Sequence, residues 1–453
     1  MRRAWIVTPL AFWLTASLAS AGNSDQVNAG LDVTLTGDAV VANVYTGASL
    51  WYNPAGVARL SKTSLELTGV TLTLQVLNAP GLVTLDADPA VASEGKALNF
   101  SVIPRALTFM IRIKENLKLG VGLFTSSLRR EYLGERVEAP GTSSTPSVEA
   151  VAGRESRVDF FHVSTGLAGE FGKKQKVLFG GAFDLVISTD RVSDTYSVFY
   201  DNGAAGQVSR SAVETQTGFG LQMKAGIQWV PIEKVRIGLS IATPSYLFAV
   251  LERYVQTSNQ APPAGTVDDE NPQLATAAED RSASGGWRGV QPGNLRFGVA
   301  YVRSWGWIEA DMLVQLPLLE EGFDIDFSGT VDARFGSALR LSKSFQLGLG
   351  AFTDFAQVNR LTTQPLGTRK VDFYGLHLGF LYSNQEVHPN RDEPEAKDGL
   401  GVSLAVGLRY SLGKGDAVGL LLPPEYDPSA TSIIAVPIRI NELAVNIAVK
   451  VAF

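Results

Sequence analysis

A chain of 453 residues with 45% apolar and 19% charged side chains has the composition of an ordinary folded protein. Beyond the N-terminus no apolar run reaches the roughly 18 residues that a membrane helix needs, which excludes a helical membrane bundle. The absence of cysteine excludes disulfides, thiolate metal sites and thiol nucleophiles, and a formal charge of −6 argues against nucleic acid as a partner.

The first residues read as an export signal. Arg2 and Arg3 form a positive start, residues 4–18 an apolar run, and Ala19-Ser20-Ala21 a small-residue cleavage site. Residues 1–21 are therefore expected to be a signal peptide. Residues 22–62 show no periodicity. From residue 63 to 453 the chain repeats segments of roughly ten residues in which apolar and small or polar side chains alternate, the period of a β-sheet with one apolar and one polar face.

In chain order, Phe219, Leu221, Met223, Ala225, Ile227 and Trp229 oppose Gly220, Gln222, Lys224, Gly226 and Gln228. Val235, Ile237, Leu239 and Ile241 then oppose Arg236, Gly238, Ser240 and Ala242, and Ile308, Ala310 and Met312 oppose Trp307, Glu309 and Asp311. A soluble sandwich also alternates, but here the polar face is rich in Gly, Ala, Ser and charges of both signs, which suits a crowded lumen. Short turns (173–176, 231–234, 342–344) alternate with long polar connections at 129–155, 189–213, 256–291 and 410–431. That asymmetry marks a transmembrane antiparallel barrel, here of about fourteen strands. The charged stretch 383–398 stands where a short turn is due. Trp51, Trp229, Trp305, Trp307, Tyr374 and Tyr410 fall near strand ends, as interfacial girdles would. The last segment alternates from Leu443 to Phe453, a terminal aromatic that resembles the assembly signal outer-membrane barrels present to their assembly machinery.

Before the first strand lie Gly47-Ala48-Ser49-Leu50-Trp51-Tyr52 and then Asn53-Pro54-Ala55-Gly56. This stretch resembles the N-terminal hatch of the FadL/TodX family of outer-membrane transporters for long-chain fatty acids and aromatic hydrocarbons. Phe100-Ser101-Val102-Ile103-Pro104 and residues 295–301 resemble, more weakly, strands of the same family. The resemblance implies a lumen plugged by residues 22–62, an outer-membrane location, a hydrophobic small-molecule ligand and passive, hatch-gated uptake. It also implies a kinked third strand that opens the wall sideways, with Gly120 and Gly122 as candidates for the kink. Family members often build an apolar capture groove from two outer loops. Here residues 189–213 offer Tyr196, Val198, Phe199 and Tyr200, whereas 256–291 carries Asp268, Asp269 and Glu270.

The three histidines, His162, His377 and His388, are too scattered for a metal site or a hydrolytic triad. No cofactor, metal or catalytic residue is expected. Lys224, Arg236, Arg296, Arg334, Arg340 and Arg409 share the inward face with Asp184, Glu309, Asp311, Asp332 and Asp354, and cross-strand charge pairs are expected among them. Candidate ligand contacts are Phe124, Phe160, Phe352 and Phe373, with Lys224 or Arg334 to meet a carboxylate. The competing reading is a structural or secretion-associated barrel of the same fold that binds protein partners and transports nothing.

Overall fold

The computed structural model describes residues 28–453 except 87–89, 142–146, 173–175, 202–205, 262–274, 286, 321–324, 360, 362–366, 386–399 and 424–431. The signal peptide, the charged stretch near 390 and the acidic 268–270 lie outside the described residues.

Fourteen strands form one closed antiparallel sheet. They are β1 (Ser64–Asn78), β2 (Lys96–Ile103 and Ala106–Lys114), β3 (Leu117–Ala139), β4 (Ser147–Phe171), β5 (Lys176–Asp201), β6 (Gly206–Ile232) and β7 (Val235–Ala242 and Ser245–Ala261). The sheet continues through β8 (Ala275–Gly285, Arg288–Gln291 and Asn294–Arg303), β9 (Gly306–Gln315), β10 (Thr330–Arg340) and β11 (Phe345–Asp354). It ends with β12 (Arg369–Ser383), β13 (Gly401–Leu422) and β14 (Ser432–Ala452). Proline has no N–H to give the ladder, and one break in each of β2, β7 and β8 falls at Pro104, Pro244 and Pro292. Lipid cannot satisfy an open sheet edge, and β14 closes on β1 from Ser64↔Ala452 to Asn78↔Arg439. The Phe453 amide adds a bond to the Thr63 carbonyl at 2.9 Å, just outside that seam.

The inward and outward faces follow the period-two reading. Leu239 and Ile241 are exposed on the outer wall while Arg236 and Ser240 are buried in the lumen. Phe219, Met223 and Ile227 likewise point out, and Gln222, Lys224 and Gln228 point in. The outer apolar belt is the lipid-facing surface. Trp229, Trp305, Tyr374 and Tyr410 lie on it, but Trp51 and Trp307 do not: both are buried. Trp307 shares the inward register of Glu309 and Asp311, and Trp51 belongs to the segment inside the barrel.

The long connections are the main departure from the sequence reading. Much of 129–155, 189–213, 256–291 and 410–431 is strand, because the hairpins keep their ladders well past the belt. β4 has 25 residues and β6 has 27, where about 9–11 cross a membrane. These extensions carry a second apolar core. Val137, Val148, Val198 and Tyr200 pack there with Leu420 and Leu422, and with Val83 and Leu85 from the β1–β2 connection. Residues Val83–Leu85 reach that core by pairing in parallel with β13. Tyr196, Val198 and Tyr200, expected at an outer capture rim, are thus packing groups, and Phe199 alone of that set is exposed.

Between residues 28 and 62 the chain folds as α1 (Leu31–Thr36), α2 (Ser49–Tyr52) and a 3-10 turn, Pro54–Arg59. Almost every one of its residues is buried, in contact with strands all round the barrel.

The register makes a direct test. Arginine at position 239 meets lipid, so Leu239→Arg should lower the unfolding free energy in bilayers by about 2–4 kcal/mol. In denaturant titrations, a loss for Ile241→Arg as large as that for Leu239→Arg is expected. Cysteines placed at 239 and 241 should be shielded from a water-soluble thiol reagent by lipid; labelling there would invert the register.

Candidate functional site

The N-terminal segment has little regular structure, so its turns and short helices pair only part of its amides. The wall supplies partners for several others. Asp311 accepts from the Val40 and Val41 amides at 2.6 and 2.9 Å, and Glu309 from the Ala42 amide at 2.6 Å. On the opposite side Glu66 accepts from the Leu31 amide at 2.7 Å and the Gly47 amide at 2.8 Å. In a lumen shielded from water such hydrogen bonds cost most when broken.

Basic residues of the wall hold the segment's acceptors. Arg409 donates to Asp38 at 3.0 Å and to Asn28 at 2.6 Å, while Arg334 lies 4.0 Å from Asp38. Tyr52 donates to the other Asp38 oxygen at 2.7 Å. Arg236 bonds Asn43, and His377 Nε2 lies 2.8 Å from the Thr34 carbonyl. Lys224 with Asp184, at 2.5 Å, is one of the expected cross-strand charge pairs, and Asp311 stands directly opposite Arg334 in the β9–β10 register. Acids and bases of β9, β10 and β13 also reach the segment inside.

Asn53-Pro54-Ala55-Gly56 forms the segment's tightest turn. The Asn53 side chain accepts from the Ala55 amide at 3.2 Å and donates to the Val41 carbonyl at 2.8 Å and the Ile227 carbonyl at 3.1 Å. It therefore caps the following turn and stitches it to β6. Glycines of the wall let the backbones touch: a Cβ at Gly180 would overlap the Pro54 carbonyl, and one at Gly226 would overlap the Asn53 side chain. Gly120 and Gly122 play the same part for Leu50, whose side chain fills the space above them. Both sit in an unbroken ladder with β2, so they do not kink the strand.

The wall is interrupted one step higher. β3 pairs with β2 only up to Ala106↔Phe124, and its register with β4 shifts between Thr125 and Ser127. Above this bulge, residues Lys96–Ile103 of β2 pair with β1 alone among the described ladders, leaving their other edge without a partner strand.

The candidate ligand residues do not meet in one pocket. Phe124 packs against the N-terminal segment, Phe160 with Val186 and Leu247, and Phe373 against the group around Leu77 and Ile438. Phe352 lies under the Arg409 guanidinium at 3.7 Å. Phe124 and Lys224 do come together, around Trp51. The Lys224 ammonium is 3.7 Å from the Trp51 ring centre and the Phe124 ring 5.7 Å away. Next to Trp51 a small cavity is lined by Gln222, Lys224, Gln291, Asn294 and Arg296.

Sequence reasoning missed His162. Its ring stands edge-on to Trp51 at 4.9 Å, with Nε2 3.1 Å from Ser126 Oγ and Nδ1 3.3 Å from Asp184. The bonds run in the order of a hydrolytic triad, assembled from three strands that no local motif links. A nucleophile needs an open approach, however, and Ser126 and His162 are buried while Asp184 is shared with Lys224 and Ser164. The network braces the walls around Trp51.

No family model and no curated protein matches the chain by sequence. Solved structures match its fold. A CymD monoaromatic hydrocarbon channel aligns over 96% of this chain and 98% of its own at 12% identity, TM-score 0.53. A Pseudomonas aeruginosa FadL homologue covers 96% of this chain and 100% of its own at 12% identity, TM-score 0.58. The P. putida toluene transporter TodX covers 93% and 98% at 14% identity, TM-score 0.51. The chain has the FadL-like barrel fold.

If the wall carboxylates hold the segment by its amides, Asp311→Asn should loosen residues 40 and 41 and Glu309→Gln residue 42. Weakening bonds worth about 1–3 kcal/mol should speed exchange of those amides roughly five- to a hundredfold. Hydrogen exchange read by mass spectrometry checks this; unchanged protection would show that packing alone holds the segment.

Proposed function

We propose that this protein is an outer-membrane channel, exported by a cleaved signal peptide, for passive and hatch-gated uptake of hydrophobic small molecules such as long-chain fatty acids or aromatic hydrocarbons. The observation that carries this reading is the pairing of a plug with an exit. Residues 28–62 fill the lumen through non-covalent contacts, and just above them the β2 edge faces β3 without a ladder. A plug held by separate polar bonds can shift without unfolding the barrel, whose described strands pair with their neighbours around a closed sheet. An unpaired edge beside the lipid belt, with Leu98, Phe100 and Val102 outside, gives an apolar solute a way out that avoids water. The FadL-like fold and the channels that share it support the same reading. Nothing in it calls for catalysis.

A second reading is favoured by one feature. The extensions of β3 to β6 form a structured body beyond the membrane with its own core, as a barrel that docks protein partners would need. If that reading holds, removing the tips of these hairpins should abolish partner binding, and the full chain should raise no uptake.

The hatch makes the main prediction. Deleting residues 22–60 should leave a barrel that still inserts and migrates heat-modifiably, yet conducts ions in planar bilayers where the full chain conducts little. In cells lacking their own transporter, the full chain should raise uptake of fatty acids or of small aromatic hydrocarbons. Equal entry of every such substrate with and without the protein would sink the channel reading.

A further inference from the structure

Trp51 occupies a site that the wall builds without it. Its indole lies among three side chains from three strands: Phe124 of β3, His162 of β4 and Lys224 of β6. The Lys224 ammonium is 3.7 Å from the ring centre, where the negative face of an aromatic ring attracts a cation. The His162 ring meets the indole at an interplanar angle of 87°, the edge-on arrangement that aromatic quadrupoles favour. Phe124 closes the box at 37° to the indole.

Two of these walls are anchored without Trp51: His162 by Ser126 and Asp184, and Lys224 by Asp184. The backbone of Phe124 is held in the β2–β3 ladder opposite Ala106. If Trp51 withdrew, His162 and Lys224 would stay. The indole itself rides on α2, four residues long with no side-chain cap at its start. The small cavity lined by Lys224 and Gln291 also borders Trp51 and gives a solute access to the indole. Through His162 the box abuts Ser126, at the bulge where the ladder between β2 and β3 ends.

We infer that Phe124, His162 and Lys224 form a binding box for a planar, uncharged aromatic molecule, with Trp51 of the plug seated in it as an internal stand-in for that ligand. The inference rests on the channel reading and narrows its substrate class. An aromatic solute gains the cation–π and edge-to-face contacts that Trp51 gives up, whereas an aliphatic chain of similar area gains neither. Occupation of the box by the solute evicts Trp51, frees the end of α2 and places the solute beside the unpaired β2 edge. Binding and release of the plug are then one event.

The test uses the full mature chain purified in a saturated alkyl detergent, with naphthalene and decane as probes matched in carbon count. Trp51→Ala removes the competitor, so calorimetry should show naphthalene binding about tenfold tighter than to the wild type, with little change for decane. Equal gains for both probes, or no gain for naphthalene, would overturn the box. Should that variant fail to give a heat-modifiable barrel, hydrogen exchange on the wild type decides. Saturating naphthalene should speed exchange of the amides from 49 to 53 several-fold and decane should not; unchanged exchange overturns the proposal. Whole-cell uptake separates the two levels. Uptake without any aromatic preference at the box defeats this inference alone, while box binding without uptake of any apolar solute defeats the channel reading.

Discussion

Peptide groups placed inside a barrel must find partners there, and that requirement organises the molecule. A closed sheet satisfies its own backbone and leaves none over for a segment in its lumen. A segment of two short helices and a 3-10 turn satisfies only part of its own groups. Side chains of the wall meet much of the difference: Glu66, Glu309 and Asp311 accept from amides, and His377 and Gln228 reach the Thr34 and Val41 carbonyls. The charged and polar lining is therefore also a receptor for the chain's own N-terminal region.

Close approach of the segment to the wall explains the glycines, since a Cβ at these positions would meet the segment's own atoms. Gly180 and Gly226 face the Asn53-Pro54 turn, Gly238 faces the Val41 carbonyl, and Gly348 and Gly379 face the Leu35 carbonyl. Together they form an imprint of the plug on the wall. A side chain at any of them would push the segment off its carboxylates, so close approach and polar holding are one design.

The wall is weakest where it meets the plug's aromatic end. Pro104 ends the regular part of β2, the bulge at Ser126 takes β3 out of step, and above them the two strands part. Trp51, Phe124, His162 and Lys224 gather at the foot of this break. Beyond the membrane the chain spends its long hairpins on a second core, into which the β1–β2 connection is drawn by its pairing with β13. Residues that read as an apolar rim, Val198 and Tyr200, are consumed in that core. A mobile capture groove and a packed outer body make opposite demands on the same side chains, and here packing holds them.

Alternation with period two determined the barrel, its strand number and the face each residue takes, because a strand's side chains point where local geometry sends them whatever the neighbours. The Asn53-Pro54-Ala55-Gly56 turn was legible too, since its chemistry is local: Pro54 fixes one dihedral and Asn53 caps the next amide. The lengths of the outer hairpins were not, because polar, alternating residues such as those of 189–213 read alike as loop or as paired strand until a partner is present. Nor were all the partners of the lumen charges. Glu309 and Asp311 read as halves of cross-strand pairs, and each also accepts from amides more than two hundred residues away in sequence. His162 carried no signal at all: its meaning comes from Ser126, Asp184 and Trp51, brought to it by three different segments. The sequence by itself determined what each residue could offer and which way it would face. Tertiary structure alone decided which offers met, because closing the sheet around the plug sets distances that no local pattern encodes.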